Sequence, residues 1–352
     1  MKKKYLMKIA ERQLGGSHPV FVVAEISANH GQNFKRAVDL IRKAKECGAD
    51  GVKFQIFTPD SLTLDCRNKY FWIKHPRWGG QTLHQLYSRA SMPWSWVKKL
   101  KRISDDLGLV FFCTSYDKTS VDFLEEVGVP VHKVASQELV DLPFVEYIAK
   151  TKKPIIFSTG MATVSEIRDA LAIARKAGVR EVALLKCVST YPARPSEMNL
   201  NTIFDMYERF QCLIGISDHT LDITTPVTAV ALGAKLVERH FTFSRKVKTV
   251  DSFFSTEPDE LKKMIQNIRV VESSLGRIHY GPTESEKESK IYRRSLFVVE
   301  DIEKSEIFTE KNVRSIRPAM GLSPKYLNRI LGKKARQKIR RGQPLDWKFI
   351  ER

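Results

Sequence analysis

The feature that most constrains the fold of this chain is an alternation of short apolar runs with amphipathic segments, which repeats eight times. The runs are rich in Val, Ile, Leu and Phe, which is typical of parallel strands buried on both faces. They lie at residues 20–25, 51–55, 109–115, 131–136, 154–159, 182–189, 213–219 and 235–241. Helical periodicity marks segments between and after them, including residues 34–47, 118–127, 163–177 and 259–275. Eight such units over about 250 residues predict an α/β fold, a (β/α)8 TIM barrel.

The alternative fold is a doubly wound open sheet, but no GxGxxG motif follows the first apolar run. Within the barrel, the connection from Thr58 to Met92 is too long for an ordinary strand-to-helix loop. Loops at this face of a barrel carry the active sites of such enzymes. We therefore expect the connection to contribute to function; an insertion that only packs is the alternative.

The chain changes in character after the eighth unit. A polar, aperiodic stretch predicts a linker, so that the barrel, the linker and a second domain occupy residues 1–280, 281–292 and 293–352. Two segments of the second domain, 299–308 and 335–345, share a spacing that matches Ile302 with Ile339, Ser305 with Gly342 and Phe308 with Leu345. This repeat predicts two strand–turn–strand elements in a small β-rich domain.

The formal net charge is +19, and the last 60 residues carry 16 Lys and Arg against 7 Asp and Glu. Nucleic acid is one partner that such a segment would suit. The basic residues are dispersed, however, and no aromatic stacking motif accompanies them, so a solvated surface is favoured; an anionic small substrate would also suit the positive field. No apolar run approaches the roughly 18 to 20 residues that span a bilayer. We expect neither nucleic acid nor a membrane as partner.

The cysteines bear on the compartment. There are five, at positions 47, 66, 113, 187 and 212, with no CxxC motif. An odd number of widely spaced cysteines argues against a disulfide framework or a cysteine-rich zinc module. The basic first residues also lack the apolar stretch of a secretion signal. We expect a cytoplasmic protein.

Polar residues collect at the ends of the predicted strands. An unpaired polar group buried in a strand costs roughly 1–3 kcal/mol or more, whereas the C-terminal rim of a barrel is where such enzymes place their active sites. Eight polar strand ends therefore predict one active site. Its candidates are Glu25, Lys53, Gln55, Thr114, Ser115, Lys133, Ser136, Ser158, Thr159, Lys186, Ser189, Ser217, His219, Glu238 and His240.

Two histidines are candidate metal ligands. His219 and His240 end the seventh and eighth strands, which are neighbours in a barrel, so their imidazoles can meet at its mouth. Either one alone would be read as a satisfied core histidine, but the pair suits a divalent metal with positions open for substrate and water. Glu238 lies two residues deeper and is expected to orient a ligand rather than bind metal.

Three lysines are expected to point inward from strands two, four and six. Ammonium groups buried in a barrel require an anion, and neighbouring hydroxyls can donate hydrogen bonds to the same group, so a phosphate with a carboxylate is favoured. A Schiff-base lysine is the competing hypothesis. The three are Lys53, Lys133 and Lys186.

Four motifs match a known family. Residues 24–30 (AEISANH), 48–55 (GADGVKFQ), 216–220 (ISDHT) and 237–241 (VERHF) resemble the sialic acid synthase family. The C-terminal segment, with Arg317-Pro318 and residues 321–324 (GLSP), resembles the antifreeze-like (β-clip) domain of that family. Within the long connection, residues 58–65 (TPDSLTLD) with Leu86-Tyr87, and Pro93-Trp94 beyond, are most similar to the pseudaminic acid synthase branch.

The resemblance implies a reaction, a cofactor and an assembly. Phosphoenolpyruvate would condense with the acetamido sugar 2,4-diacetamido-2,4,6-trideoxy-L-altrose and water to give pseudaminic acid and phosphate. A divalent metal ion such as Mn²⁺ or Mg²⁺ would assist. The chain would form a domain-swapped homodimer in which the antifreeze-like domain closes over the barrel of the partner subunit.

The resemblance also implies roles for individual residues. Glu25 would position or deprotonate a reacting group, His219 and His240 would bind the metal, and Arg317 would reach in from the antifreeze-like domain. The sugar would be contacted by Gln55, Tyr191 and Asp251. Phosphoenolpyruvate would be held by Lys53, Thr114, Lys133, Ser136, Ser158, Lys186 and Ser217, with Ser189 and Tyr292 as further substrate contacts.

The chain departs from the family pattern in two places. Thr249-Val250 stands before Asp251 where the family often has Gly-Pro, and Ala319 replaces a glycine. Two other interpretations stay open. The same parts could serve an N-acetylneuraminate or legionaminate synthase or another phosphoenolpyruvate-dependent aldol condensation, or the protein could be a non-enzymatic binder of carbohydrate or nucleic acid.

Overall fold

A computed structural model describes residues 5–351. The chain divides into two compact units, Met1–Gly276 and Arg277–Arg352. In the first unit eight parallel strands form a closed barrel in chain order, which confirms the predicted TIM-type fold. The barrel strands are β3 (Phe21–Glu25), β4 (Gly51–Ile56), β5 (Val110–Ser115), β6 (His132–Val134), β7 (Ile155–Ser158), β8 (Val182–Cys187), β9 (Leu213–Asp218) and β10 (Leu236–His240).

Helices occupy the connections between the strands, and local signals set their ends. The Asn33 side chain accepts from the backbone N–H of Arg36 where the first helix begins, and Gly48, with φ 93°, ends it in a conformation that favours glycine. The helices of this unit are α1 (Phe34–Cys47), α2 (Pro59–Leu62), α3 (Leu83–Ala90), α4 (Val97–Asp106), α5 (Lys118–Val127), α6 (Leu142–Ala149), α7 (Val164–Lys176), α8 (Thr202–Phe210), α9 (Thr224–Ala231) and α10 (Pro258–Leu275).

A hairpin that sequence reasoning missed precedes the barrel. Its strands are β1 (Leu6–Ile9) and β2 (Arg12–Gly15), paired antiparallel. Met7, Ile9 and Leu14 are fully buried and join the apolar cluster of the barrel interior, which contains residues at the starts of several strands. The hairpin therefore covers the N-terminal end of the barrel. Strands of four residues give too little alternation to be recognised in the sequence.

The connection between β4 and β5 is not the irregular loop that its length suggested. It contains α2, a 3-10 turn at Lys69–Phe71, and α3. Thr58 and Thr82 begin α2 and α3 with reciprocal capping bonds to the residue three positions on. Two ordered helices therefore stand over the C-terminal end of β4.

The second unit contains the antiparallel pair β11 (Ser295–Val298) and β12 (Val313–Ile316) and one short helix, α11 (Leu327–Ile330). The repeat is visible in its backbone. Ile302 and Ile339 form an antiparallel bridge, and both Ser305 and Gly342 have positive φ, of 67° and 86°. The repeated segments make isolated bridges rather than regular strands, so the predicted strand–turn–strand elements are only partly formed.

Among the helices of residues 5–351, none combines the length and the apolar composition that crossing a membrane requires.

Gly215 offers a test of barrel packing. A Cβ at this position of β9 would lie 2.4 Å from the backbone oxygen of Leu236 and 2.7 Å from Leu185. Gly215→Ala is expected to lower the free energy of unfolding by about 1–3 kcal/mol, because strand β10 must move away. Urea unfolding followed by circular dichroism measures this loss. An unchanged midpoint would show that the barrel interior tolerates the methyl group.

Candidate active site

A cavity of about 480 Å³ lies at the C-terminal ends of the barrel strands. It brings together side chains from β4 to β10, as the polar strand ends predicted. A second cavity, of about 350 Å³, lies between α8 and α9 and is lined mainly by apolar side chains, with Glu208 and Lys235 as its charged residues. The predicted residues that line the larger cavity are Lys53, Gln55, Thr114, Lys133, Ser136, Ser158, Tyr191, Ser217, His219, Glu238, His240 and Asp251.

A charged cluster lies at the bottom of this cavity. Nζ of Lys53 is 2.5 Å from Oε2 of Glu25 and 2.8 Å from Oγ1 of Thr114. Nζ of Lys133 donates to Oγ of Ser158 at 2.8 Å. Glu238 lies between the two lysines, with Oε1 3.7 Å from Lys53 and 3.6 Å from Lys133. Two ammonium groups and two carboxylates thus lie together, all of them almost completely buried.

The charges in this cluster change one another's proton affinity. Burial raises the pKa of Glu25 to about 7 in spite of the adjacent Lys53. Burial would also raise the pKa of Glu238, but Lys133 and Lys53 outweigh it and lower that pKa. Burial lowers the pKa of Lys133, and Glu238 opposes this only in part. Glu238 is therefore the ionised partner of the lysines, whereas Glu25 can gain or lose a proton near neutral pH.

The two candidate metal ligands lie side by side. The ring centroids of His219 and His240 are 5.3 Å apart, and Tyr191 and Phe254 pack against them. Nδ1 of His219 donates to the carbonyl of Val188 at 2.9 Å, so Nε2 is the ring nitrogen left for a ligand. Although burial lowers the pKa of His219, the neighbouring Cys187 and this hydrogen bond raise it overall, so a metal would have to displace a proton from this ring. Nδ1 of His240 is buried without a hydrogen-bond partner.

These observations fit a divalent ion held by two imidazoles. Burial lowers the pKa of His240 well below its usual value, which keeps the ring in the neutral form that binds metals. No group of three or more His, Cys, Asp or Glu side chains in residues 5–351 could hold a metal ion. The protein would thus supply two ligands, and substrate and water would supply the rest.

A buried ion pair lies on the other face of the strands that carry these histidines. Arg239 and Asp218 are direct register partners on β10 and β9, and both are almost completely buried. Nη1 of Arg239 donates to Asp218, and its other nitrogens donate to Oγ1 of Thr256 and to the carbonyl of Thr220, each at 2.8 Å. The pair fixes the two strands relative to one another immediately beside the imidazoles.

Seven predicted residues do not line this cavity: Glu25, Ser115, Thr159, Lys186, Ser189, Tyr292 and Arg317. On β8 the inward face carries Leu185 and Cys187, so the expectation that Lys186 points inward is wrong; its ammonium group donates to the carbonyl of Cys187. The reason is the alternation of strand faces, which puts neighbouring residues on opposite sides.

Ser189 contacts Cys187 at the rim, with Oγ 3.8 Å from its Sγ. Tyr292 and Arg317 belong to the second unit, where Tyr292 is two-thirds exposed.

Asp251 lies between Ser27, which follows β3, and His240 at the end of β10. Its Oδ2 accepts from the Ser27 hydroxyl at 2.6 Å and lies 4.0 Å from Nδ1 of His240. Thr249-Val250 stands before Asp251 where the family often has Gly-Pro. In this loop, Oγ1 of Thr249 donates to Oδ1 of Asn29 at 2.6 Å. This bond ties the altered loop to the segment after β3.

Sequence reasoning missed several lining residues. Glu138 follows β6, and burial raises the pKa of its carboxyl to about 7; Oε2 has no hydrogen-bond partner. The only sequence signal for Glu138 as a site residue is that it lies two residues after the candidate Ser136. Tyr116 lies one residue past the predicted end of β5, and Trp78 comes from the long connection. Nothing in the sequence shows that these side chains turn toward the cavity.

The fold and the site together define a class of protein. A barrel with buried lysines at its mouth, followed by a small β domain, is the architecture of an enzyme whose cavity suits an anionic substrate. The model of the NeuB family matches residues 40–280, and the model of the SAF domain matches residues 293–351. The chain therefore belongs to the NeuB family, as its motifs predicted.

Individual relatives agree with this assignment. The chain is 40% identical to the pseudaminic acid synthase of Campylobacter jejuni subsp. jejuni serotype O:2 over 326 residues, covering 93% of this chain and 95% of that protein. It is 38% identical to the pseudaminic acid synthase of Helicobacter pylori, covering 95% and 98%. The crystal structure of an N-acetylneuraminic acid synthetase from Leptospira borgpetersenii, in complex with citrate, superposes with a TM-score of 0.74 at 30% identity, covering 82% of this chain and 96% of that one.

The Arg239–Asp218 pair should position the imidazoles as well as stabilise the barrel. Arg239→Lys keeps the charge but loses the fork-shaped donor set. We expect a lower melting temperature and a roughly 10- to 100-fold weaker affinity for Mn²⁺, typical of residues that support metal ligands. Isothermal titration calorimetry of the whole protein measures the affinity.

The matched control is Arg269→Lys. Arg269 pairs with two carboxylates, Asp50 and Glu272, and donates to the carbonyl of Val20 at the opposite end of the barrel. Its side chain is 36% exposed, so a smaller loss of stability is expected, with unchanged Mn²⁺ affinity. Equal effects of both variants on the affinity would show that Arg239 acts only through general stability.

Proposed function

We propose that this chain is a pseudaminic acid synthase, which condenses phosphoenolpyruvate with 2,4-diacetamido-2,4,6-trideoxy-L-altrose and water, giving pseudaminic acid and phosphate. The observation that carries the proposal is the placement of two buried ammonium groups, Lys53 and Lys133, in one cavity with the imidazoles of His219 and His240. A trianionic three-carbon donor needs the first pair, and an aldehyde acceptor needs the second. The high identity to synthases of this name supports the choice of sugar.

Phosphoenolpyruvate would bind against the lysines. Glu238 partly neutralises them, and the hydroxyls of Thr114, Ser158 and Ser217 lie within hydrogen-bond distance of cluster members. An incoming anion would take the place of the carboxylates beside these donors, whose backbone positions are already set by the strands, and donors held in place in this way favour electrostatic stabilisation. The site would extend to Ser136, whose Oγ accepts from the backbone N–H of Gly160 at 3.0 Å.

Gly160 allows two serines to approach this wall. A Cβ on Gly160 would lie 2.2 Å from Oγ of Ser189 and 2.8 Å from Oγ of Ser136. Only glycine therefore permits both hydroxyls to meet the loop after β7. This packing supports Ser189 as a substrate contact, whereas the outward direction of Lys186 leaves it as a contributor to the positive field.

The sugar would bind on the histidine side of the cavity, near Gln55, Tyr191 and Asp251. A divalent ion such as Mn²⁺ or Mg²⁺ at His219 and His240 would polarise the aldehyde oxygen of the open-chain sugar. The enol carbon C3 of phosphoenolpyruvate would then form a bond to C1 of the sugar, and water would add at C2. Loss of phosphate by C–O cleavage completes the reaction, which holds both reactants at close range.

Glu25 is the group suited to move a proton in this sequence. Its carboxyl is completely buried, contacts Lys53, and accepts from Nε2 of Gln55 at 3.2 Å. Its pKa of about 7 lets it accept a proton from the attacking water and release it within one turnover. It does not line the cavity itself, so a water molecule would carry the proton between the substrate and its carboxylate, while Gln55 orients that carboxylate.

The remaining parts of the proposal concern assembly. We propose a catalytic barrel over residues 1–280, a linker over 281–292 and an antifreeze-like domain over 293–352. In a domain-swapped homodimer, this domain would bring Arg317 and Tyr292 to the barrel of the other subunit. A cytoplasmic location would fit the five free cysteines.

An N-acetylneuraminate synthase is the second candidate function, because the superposed Leptospira structure is named as an N-acetylneuraminic acid synthetase. The reaction at the lysines and imidazoles would be the same, and only the sugar would differ. The choice between the two sugars therefore depends on the part of the cavity away from the charged cluster.

Phosphate release tests the function. The full-length protein with Mn²⁺ is expected to release phosphate from phosphoenolpyruvate only when 2,4-diacetamido-2,4,6-trideoxy-L-altrose is added, and chelation should abolish release. In ¹⁸O-labelled water the label should enter the keto sugar and not the phosphate. His240→Ala should lose turnover and retain less Mn²⁺. Full turnover of this variant after chelation, or label in the phosphate, would refute the mechanism.

The pH dependence tests the role of Glu25. With a pKa of about 7 the carboxyl is protonated below that pH and ionised above it. If the carboxylate is the active form, kcat should rise with pH through about 7. Glu25→Gln should lower kcat by about 10²- to 10⁴-fold and remove this rise. An unchanged profile in the variant would assign the titration to another group.

A further inference from the structure

Two chemical kinds of side chain line the cavity. The charged cluster and the imidazoles are one kind. The other is a set of apolar side chains of the β4–β5 connection, which we call the apolar roof: Leu62, Ile73, Trp78, Leu83, Leu86 and Ala90. A substrate that fills this cavity must therefore present both charged or polar groups and hydrocarbon.

The apolar roof is held in place by ordered structure. The capped helices α2 and α3 carry Leu62, Leu83, Leu86 and Ala90. Trp78 is fixed by a hydrogen bond from its Nε1 to the carbonyl of Val250 at 2.9 Å and by edge contact with Phe253. The roof can therefore act as a preformed surface rather than a flexible cover.

Few hydrogen-bonding groups are available on the apolar roof. Among the described residues of the connection that line the cavity, only Trp78 and Tyr87 carry polar atoms in their side chains. The indole N–H of Trp78 is already bonded to Val250. A hydroxyl group pressed against the roof would lose its water and find almost no partner, whereas a methyl group would gain from leaving water.

The sugar of the proposed function matches this division. It bears a methyl group at C6 in place of a hydroxymethyl group, and two acetamido groups that end in methyls. An N-acetylhexosamine such as N-acetylmannosamine bears only one acetamido group and keeps the hydroxyls at C4 and C6. The two substrates thus differ in the methyl and hydroxyl groups that they would present to an apolar surface.

We propose that the apolar roof binds the methyl groups of the 6-deoxy diacetamido sugar and sets the preference of the enzyme for such sugars over hydroxylated N-acetylhexosamines. The inference rests on the proposed function and adds the residues that select the substrate. A hydrophobic pocket rejects an added hydroxyl by about 10²-fold, so a preference of at least that size in kcat/KM is expected.

The test makes two side chains of the roof polar without adding bulk to the cavity. Leu83→Asn and Ile73→Thr each add a polar group to a half-buried side chain that lines the cavity. The ratio of kcat/KM for the diacetamido sugar to that for N-acetylmannosamine should fall at least 10-fold, with KM for phosphoenolpyruvate unchanged. A selective effect on one substrate separates a role in specificity from damage to the fold.

Two controls complete the design. Leu64 belongs to the same connection, but it is 63% exposed and does not line the cavity. The Leu64→Asn variant should therefore have the same ratio of kcat/KM values as the wild type. Leu83→Met keeps an apolar side chain of similar size and should also keep the ratio. Melting temperatures of all variants show whether each one is folded.

The outcomes are distinguishable. If the wild-type protein uses neither sugar, the proposed function fails and the inference with it. If the wild type uses the diacetamido sugar but Leu83→Asn and Ile73→Thr keep its ratio, the inference about the roof is wrong and the function stands. A wild-type preference for N-acetylmannosamine would overturn both.

Discussion

The pairing of buried charges at the mouth of the barrel is the interaction on which the rest of the site depends. An unpaired ion in a protein interior costs several kcal/mol, so Lys53 and Lys133 can be buried only because Glu25 and Glu238 lie beside them. The same pairing leaves the lysines free to change partners when an anion enters. Each of these ammonium groups thus lies beside a carboxylate instead of being exposed to water.

The strand register carries this arrangement from the backbone to the imidazoles. Glu238 and His240 face inward on β10, and Arg239 between them faces outward to meet Asp218. A slip of one residue would exchange the two faces and place the arginine in the cavity. Positioning of the imidazoles and stability of the barrel therefore depend on the same two strands, while the apolar roof of the cavity is built by a separate connection.

The outcome of the sequence interpretation differs from element to element. Buried parallel strands show as continuous apolar runs, so all eight were found with errors of one to three residues at their ends. Lys186 was misplaced because a polar residue next to a strand end does not reveal which face it occupies, and Cys187 holds the inward position. Glu138, Tyr116 and Trp78 lie in segments without periodicity, where direction is set by tertiary packing. The hairpin before the barrel was too short to give a pattern.

The sequence by itself determined the barrel, the order of its strands and the chemical character of the mouth, because apolar periodicity and polar strand ends are local properties of the chain. Only the tertiary structure decided that Glu238 is shared by two lysines and that the imidazoles of His219 and His240 are 5.3 Å apart. It also decided that side chains of the long connection form the apolar roof of the cavity. Those facts join residues far apart in the chain, and their distances follow from barrel closure and side-chain packing rather than from any local pattern.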